Sequence, residues 1–143
     1  MKKYIWLSVL LCWSINILSA QTYCAGDQIN STHQNQEHIV GAGIEGYEAG
    51  DIFRLADYNG ELNGGEYHII LIDMSASWWG TCQSYGVPGV EALEEAWSEF
   101  GVKFITSLTD CGNPYSCQEW QDFGISGTPL ILDENQSNPG MFD

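Results

Sequence analysis

The sequence contains few positive charges. Its 143 residues include 4 Lys and Arg residues against 19 Asp and Glu residues, and the formal net charge is −15. Two of the cations are Lys2 and Lys3, so the rest of the chain carries only Arg54 and Lys103. An acidic surface of this kind repels phosphate backbones and anionic lipid headgroups. The composition therefore predicts that neither nucleic acid nor a membrane surface is a partner.

Long apolar runs are absent except near the N-terminus. The run from Tyr4 to Leu18 is interrupted by three polar residues and is short for a membrane span. Two lysines precede it, and the small residues Ser19 and Ala20 follow it, as in a cleaved secretory signal peptide. We therefore predict a signal peptide over residues 1–20 and export to the periplasm or beyond, without a membrane anchor after cleavage. An uncleaved N-terminal anchor is the alternative.

Cysteine is scarce but informative. Of the five cysteines, one lies in the predicted signal peptide. An even number remains, which in an oxidising compartment permits two disulfides in any of three pairings and requires none. The remaining cysteines are Cys24, Cys82, Cys111 and Cys117. Cys24, His33 and His38 share a polar segment, but their spacing matches no standard zinc pattern. The sequence thus predicts no metal and no cofactor.

The composition changes near residue 50. Residues 21–49 are polar and lack a sustained period, which predicts a loosely ordered leader with room for one short strand. Residues 50–143 are predicted to form one domain. In it, Ile52 to Leu55 reads as a strand that enters a hairpin at the Asn59-Gly60 turn. The apolar, β-branched run from Tyr67 to Met74 is typical of a central strand buried on both faces.

The remaining pattern alternates helices with strands. Four apolar residues recur at helical spacing before Gly101, which ends the predicted helix, and glutamates occupy the other face. The apolar set is Val90, Leu93, Trp97 and Phe100. A second buried strand is predicted at Val102 to Leu108, and a crossover to it makes the two strands parallel. A short helix at Ser116 to Phe123 and an apolar run at Pro129 to Leu132 complete an α/β architecture.

The segment ILIDMSASWWGTC, residues 70–82, resembles the active-site segment of thioredoxin-fold proteins. In that family a buried strand ends in an Asp, and a W-C-G-P-C turn opens the next helix. By this resemblance Asp73 is the buried acid, with a raised pKa, and Trp78 is the tryptophan before the site. Trp79 then stands at the first Cys, Gly80 at the Gly, Thr81 at the Pro and Cys82 at the second Cys. The stretch GDIFRLADYNGEL is similar to the entry hairpin of the redoxin branch, which includes extracytoplasmic thioredoxin-like and peroxiredoxin-like proteins.

The resemblance implies thiol–disulfide chemistry, with a protein thiol or disulfide as partner. Such sites attack with a thiolate stabilised at a helix N-terminus, and a second Cys resolves the mixed disulfide. Because Trp79 replaces the attacking Cys, a local two-cysteine cycle cannot run. Cys82 is then an inert buried residue, a partner of Cys111 or Cys117 in exchange, or a peroxide-reactive thiol. The peroxidase alternative is weakened because Trp79 and Ser75 stand where peroxiredoxins have Thr and Pro.

Three further expectations concern the loops and the chain end. Cys111 and Cys117 flank a Gly-Asn-Pro turn and can close a disulfide if their Cβ atoms face each other. Pro129 is either the cis-proline that faces the site in thioredoxins or the start of the strand that redoxins place before it, and the second is favoured. In either register the fold needs another strand and a final helix, so the domain is predicted to be incomplete at its C-terminus.

Two functions remain open from the sequence. The first is redox chemistry centred on Cys82. The second is a non-catalytic binding or structural module that kept the fold, in which Trp78 and Trp79 either pack or recognise a peptide or an apolar ligand.

Overall fold

The computed structural model describes residues 23–44, 46–125, 129–137 and 141. The predicted signal peptide lies outside these residues. The fold is a mixed five-stranded sheet flanked by helices, with strand order β2-β1-β5-β4-β3. No helix among the described residues is long and apolar enough to cross a membrane. The strands are β1 His38–Ala42, β2 Ile52–Phe53, β3 Ile69–Ser75, β4 Val102–Leu108 and β5 Leu130–Asp133. The helices are α1 Ser31–Gln34, α2 Gly60–Asn63, α3 Val87–Trp97 and α4 Cys117–Gln121.

Three neighbouring strands run parallel. β3 pairs with β4 from Ile69 opposite Val102 to Ser75 opposite Leu108. β4 pairs in the same direction with β5, which in turn pairs antiparallel with β1. The predicted strand at Val102 to Leu108 and its parallel pairing with the preceding strand are confirmed. The carboxyl ends of β3, β4 and β5 therefore lie at one edge of the sheet.

The core consists of two apolar clusters, one on each face of the sheet. Leu108 and Ile131 belong to the first cluster, which also contains Val87 of α3 and Trp120 of α4. Ile105 and Leu130 belong to the second, which contains Phe53 of β2 and is covered by side chains such as Tyr58. Because successive strand residues point to opposite faces, the alternation along β4 and β5 assigns the two clusters to opposite sides.

The polar segment before residue 50 contributes to this core. β1 lies second in the sheet, and its Val40 and Ala42 are 1% and 0% exposed. The leader's single predicted strand thus exists and is the centre of an antiparallel unit that joins β2 to β5. Tyr47 follows this strand, and burial together with the neighbouring Asp57 carboxylate raises the pKa of its phenol.

The predicted Asn59-Gly60 hairpin is wrong. After β2 the chain forms a 3₁₀ turn over Leu55–Tyr58 and then the short helix α2. The Asn59 side chain accepts a hydrogen bond from the backbone N–H of Glu61 and so caps that helix. Asn is as good a helix N-cap as it is a turn residue, and local sequence alone does not separate the two roles.

The prediction that the Tyr67 to Met74 run is a central strand, buried on both faces, is also wrong. Among the described residues, β3 is the edge strand and pairs only with β4. Its Ile69 and Met74 side chains are 70% and 57% exposed. An apolar run is typical of a strand that is covered on both faces, but the described elements cover this one incompletely.

The helix after β3 buries a different face from the one predicted. Val90 is buried as expected, but Leu93, Trp97 and Phe100 are exposed, and Glu91 is only 9% exposed. The Glu91 carboxylate accepts a hydrogen bond from the backbone N–H of Ile125 at 2.7 Å, which satisfies it in the interior. The predicted helix is confirmed: α3 ends at Trp97, and a 3₁₀ turn over Ser98–Phe100 continues it to Gly101, where φ is +79°. The rotation of the helix about its axis was predicted incorrectly.

Candidate functional site

The candidate site lies at the carboxyl edge of the three parallel strands. Two loops leave this edge: residues 76–79 after β3 and residues 109–116 after β4. The chain after β5 starts from the same edge, since the backbone N–H of Glu134 donates to the carbonyl of Leu108. In α/β sheets this edge is where functional loops converge, because parallel strands present their carboxyl ends together.

Ser77 joins the first two loops. Its backbone N–H donates to Asp110 Oδ1 at 2.6 Å, and its hydroxyl lies 3.2 Å and 2.9 Å from the carbonyl oxygens of Asp110 and Asn113. Ser77 is 1% exposed, so these bonds are shielded from water. The turn that carries Trp78 and Trp79 is therefore held against the loop that carries Cys111. Sequence reasoning did not identify Ser77 or Asp110, because their contact spans 33 positions.

Cys111 and Cys117 form a disulfide, in agreement with the pairing predicted from their loop. Their Cα atoms are 5.2 Å apart, within the usual range for a disulfide. The backbone N–H of Gly112 donates to the carbonyl of Tyr115 at 2.7 Å, and Gly112 has a positive φ of +89° that favours glycine. The loop thereby turns tightly enough to bring the two sulfurs together.

The same loop leads into α4 through a capping box. The Ser116 hydroxyl accepts a hydrogen bond from the backbone N–H of Glu119, and the Glu119 carboxylate accepts from the backbone N–H of Ser116. Hydrogen bonds from the Ser116 backbone and side chain lower the pKa of Glu119. The predicted helix from Ser116 is thus confirmed, with Ser116 as its cap.

Asp133 is a site residue that sequence reasoning missed. It ends β5, is 6% exposed, and has a carboxylate oxygen that forms a cluster with the sulfurs of Cys111 and Cys117. All three atoms lie within 4.8 Å of one another. The carboxylate accepts hydrogen bonds from the backbone N–H of Asn135 at 3.0 Å and from Gln136 Nε2 at 2.6 Å. Its position at the end of a predicted strand was the only available signal.

Cys82 is a free, half-buried thiol in the helix after β3. Helical structure begins at Gly80 and Thr81, both exposed, and Cys82 opens a π-helical segment that ends at Gly86. The wider turn has a local cause: Pro88 has no N–H to donate, and the backbone N–H of Val87 instead reaches the carbonyl of Cys82. The Cys82 side chain packs against the apolar cluster that contains Cys117, and so does Cys111.

Trp78 and Trp79 are exposed, so of the two alternatives from the sequence, packing in the interior does not apply. Their exposed fractions are 68% and 52%. The two indole rings stack at a centroid distance of 6.4 Å and an interplanar angle of 26°. Two large apolar rings on one turn are a feature of surfaces that bind a peptide or an apolar ligand.

Asp73 and Arg54 also bear on the redox chemistry that the sequence suggests. Asp73 is half-buried and its Oδ2 accepts a hydrogen bond from the Ser75 hydroxyl at 2.6 Å, so it is less deeply buried than predicted. Arg54, the one arginine of the chain, forms an ion pair with Glu37. Its guanidinium is therefore engaged by a carboxylate of the segment before β1.

Comparisons with family models, with curated proteins and with solved structures find no match to this chain. The functional argument therefore depends on the residues and contacts described above.

The turn allows a test of what a second thiol at position 79 would do. The change Trp79→Cys places a second thiol three residues before Cys82, the spacing of a two-cysteine redox turn, whereas Trp78→Cys does not. We expect Trp79→Cys to reduce insulin with dithiothreitol faster than the wild type and the Trp78→Cys variant, because only Trp79→Cys can release the mixed disulfide within the turn. Turbidity of precipitating insulin is the measurement. Wild-type activity equal to that of Trp79→Cys would show that another cysteine pair already performs the reaction.

Proposed function

We propose that this chain is an exported thioredoxin-like protein of the redoxin branch, and that it carries out thiol–disulfide exchange through Cys82. One observation carries the proposal: a free, half-buried thiol packs on the same apolar cluster as a disulfide formed elsewhere in the chain. Both groups belong to the carboxyl edge of the sheet, where the turn after β3 and the loop after β4 are joined by Ser77.

The topology supports the thioredoxin-like assignment. A strand, a turn with a tryptophan, a helix that begins within that turn, and a parallel return strand follow one another from β3 to β4. The next parallel strand, β5, lies on the far side of β4 and starts directly after Pro129. This position favours the second alternative for Pro129, in which it starts the strand that redoxins place before their cis-proline. The peptide bond between residues 128 and 129 lies outside the described residues.

The proposed reaction uses one protein thiol at a time. The Cys82 thiolate attacks one sulfur of a partner disulfide, a new S–S bond forms to Cys82, and the partner's other sulfur leaves as a thiolate. A second thiol, from the partner or from a small thiol, then attacks the mixed disulfide and releases Cys82 as a thiolate. Electrons pass from that second thiol to the partner disulfide, and Cys82 ends as it began. Trp79 supplies no sulfur, so release within the turn does not occur.

The loop disulfide can take part in the same chemistry. Attack of Cys82 on the sulfur of Cys111 would form a Cys82–Cys111 bond and release Cys117 as a thiolate, with no net change in oxidation state. Cys111 is the more accessible of the two sulfurs, because it is half-buried whereas Cys117 is 4% exposed.

Removal of the Cys82 sulfur tests the proposal. Cys82→Ser should reduce the rate of deglutathionylation of a model peptide to the uncatalysed rate, because the attacking atom is lost. Cys24→Ser, which removes the other free cysteine among the described residues, should keep the wild-type rate. The measurement is peptide release in a glutathione buffer, followed by mass spectrometry. If Cys82→Ser retains the wild-type rate, Cys82 is an inert residue and the proposal fails.

A non-catalytic binding module is the second candidate, favoured by the exposed, stacked Trp78 and Trp79. It predicts that Cys82→Ser leaves binding of a peptide or an apolar ligand unchanged. Replacement of both Trp78 and Trp79 by alanine should abolish that binding. The same two variants therefore separate the two functions. Peroxide reduction receives less support, because peroxiredoxin-like sites use an arginine to lower the pKa of the reactive thiol, and the one arginine of this chain forms an ion pair with Glu37.

A further inference from the structure

We propose that reduction of the Cys111–Cys117 disulfide converts this loop into a zinc-binding site whose three protein ligands are Cys111, Cys117 and Asp133. The proposal does not depend on the chemistry proposed for Cys82. It goes beyond the sequence-based expectation of no metal, which considered only Cys24, His33 and His38.

The ligand atoms are already gathered. The two sulfurs and one carboxylate oxygen of Asp133 lie within 4.8 Å of one another. In a tetrahedral zinc site, Zn–S bonds are about 2.3 Å and Zn–O bonds about 2.0–2.2 Å, so ligand atoms lie roughly 3.5–3.8 Å apart. Opening of the S–S bond lets the two sulfurs separate. Because the two cysteines are only six positions apart in sequence, they still remain near each other. Small side-chain rotations then suffice to reach the required spacing.

The surroundings hold the carboxylate in place. Asp133 lies opposite Leu108 in the parallel ladder, and its two side-chain hydrogen bonds come from Asn135 and Gln136. The Asn135 amide also donates to the carbonyl of Cys111 at 2.8 Å, which links the two ligand segments. Hydrogen bonds of this kind orient ligating groups and raise metal affinity.

The charge of the site favours a cation. Asp133 is 6% exposed, and within the described part of the chain no Lys, Arg or His forms a salt bridge with it. A buried carboxylate that only accepts hydrogen bonds remains costly, and a divalent ion beside it would offset that cost. Cys111 is half-buried while Cys117 is buried, so an ion would enter from the Cys111 side.

The identity of the metal follows from the donor set. Two thiolates and one carboxylate combine soft and hard donors, which zinc accepts in tetrahedral geometry, and three protein ligands leave a fourth position for water. Calcium and magnesium are disfavoured because both require oxygen ligands.

The redox step balances with a dithiol as reductant. The dithiol transfers two electrons and two protons to the disulfide, becomes a disulfide itself, and leaves two thiols at Cys111 and Cys117. Zinc then binds both sulfurs and releases the two thiol protons to solvent. The S–S bond and the metal use the same sulfurs, so they exclude each other. Zinc should therefore protect the reduced loop from oxidation.

The experiment uses the full chain carrying Cys12→Ser, Cys24→Ser and Cys82→Ser, so that Cys111 and Cys117 are its only cysteines. The protein is reduced with dithiothreitol, desalted under nitrogen, and titrated with Zn²⁺ against a chromophoric chelator. We expect one equivalent to bind to the reduced protein and none to the oxidised protein. Equal binding by the two forms, or no binding by either, overturns the proposal.

Asp133→Asn in the same background tests the third ligand. We expect zinc affinity to fall by about tenfold or more, since the charged oxygen is lost. The matched control is Asp122→Asn, an exposed position after α4, which should bind as the parent does. Unchanged affinity in Asp133→Asn removes Asp133 from the site. To cover misfolding of that variant, the reduced parent is also titrated with Co²⁺, and failure to develop thiolate-to-cobalt charge-transfer absorption contradicts the proposal by itself.

Discussion

Replacement of Trp120 by alanine should lower the free energy of unfolding by about 3–5 kcal/mol, the usual cost of removing a large aromatic side chain from a core. Trp120 is 1% exposed and belongs to the apolar cluster that also contains Leu108 and Ile131. Its ring meets Phe123 edge-on at a centroid distance of 6.0 Å. The disulfide at Cys117 and the hydrogen bonds from Gln121 Nε2 to the carbonyls of Gly43 and Pro129 also fix α4, so the cavity left by the indole cannot collapse easily.

The matched control is Trp97→Ala. Trp97 lies at the end of α3 and is 53% exposed, so its removal opens no enclosed cavity and should cost about 1 kcal/mol or less. Urea unfolding followed by far-ultraviolet circular dichroism measures both variants. Equal destabilisation by the two substitutions would contradict the placement of Trp120 in the core, and a native-like Trp120→Ala would do so more strongly.

Gly41→Ala should destabilise the protein by about 1–3 kcal/mol or more, because the new methyl group has no space. A Cβ at Gly41 would overlap the sulfur of Cys117 and lie 2.7 Å from the Cβ of Cys117 and 3.0 Å from that of Asp133. The disulfide prevents Cys117 from moving aside, and Gly41 lies within β1 between two residues that pair with β5, so neither partner yields easily.

Gly89→Ala is the control with the same chemical change. Gly89 lies in the first turn of α3, and a Cβ there would meet no atom within 4 Å. Alanine favours the helix over glycine by roughly 0.5–1 kcal/mol, so this variant should be slightly stabilised. Opposite signs of the two changes in urea midpoint are the expected result. A neutral Gly41→Ala would mean that β1 does not pack against the disulfide loop.

The Gly41→Ala variant tests the packing of β1 independently of the zinc proposal. If Gly41→Ala destabilises the oxidised protein, the close approach of β1 to Cys117 is established without reference to any metal. Zinc binding by the reduced wild type then remains an independent question, since it depends on the sulfurs and on Asp133 rather than on the strand's stability.

Much of the fold was predictable because its signals are local. The apolar run at Val102 to Leu108 predicts β4, and Gly101 before it marks the helix end where a left-handed residue is required. Ser116 with Glu119 three residues later is a capping box that predicts α4. The disulfide between Cys111 and Cys117 also has a local signal, because the turn between the two cysteines brings them together.

Part of the candidate site was also predictable. The segment from Asp73 to Cys82 stands out because a strand, a tryptophan turn and a lone cysteine follow in order. Its position at the carboxyl edge follows from the parallel pairing of the two strands, which the crossover predicts. The half-buried state of Cys82 and the exposure of Trp78 and Trp79 did not follow, because exposure depends on which other elements cover the turn.

Some properties were decided only by the tertiary structure. The edge position of β3 and the rotation of α3 depend on what packs beside them, and an apolar pattern is the same whether or not a neighbour covers it. The meeting of Asp133 with Cys111 and Cys117, and that of Ser77 with Asp110, join residues distant in sequence at one sheet edge. The sequence by itself determined β4, the start of α4, the turn that closes the loop disulfide and the presence of tryptophan instead of cysteine at position 79. The register of the parallel strands decided which polar groups converge, because pairing places side chains together without leaving a local trace in the sequence.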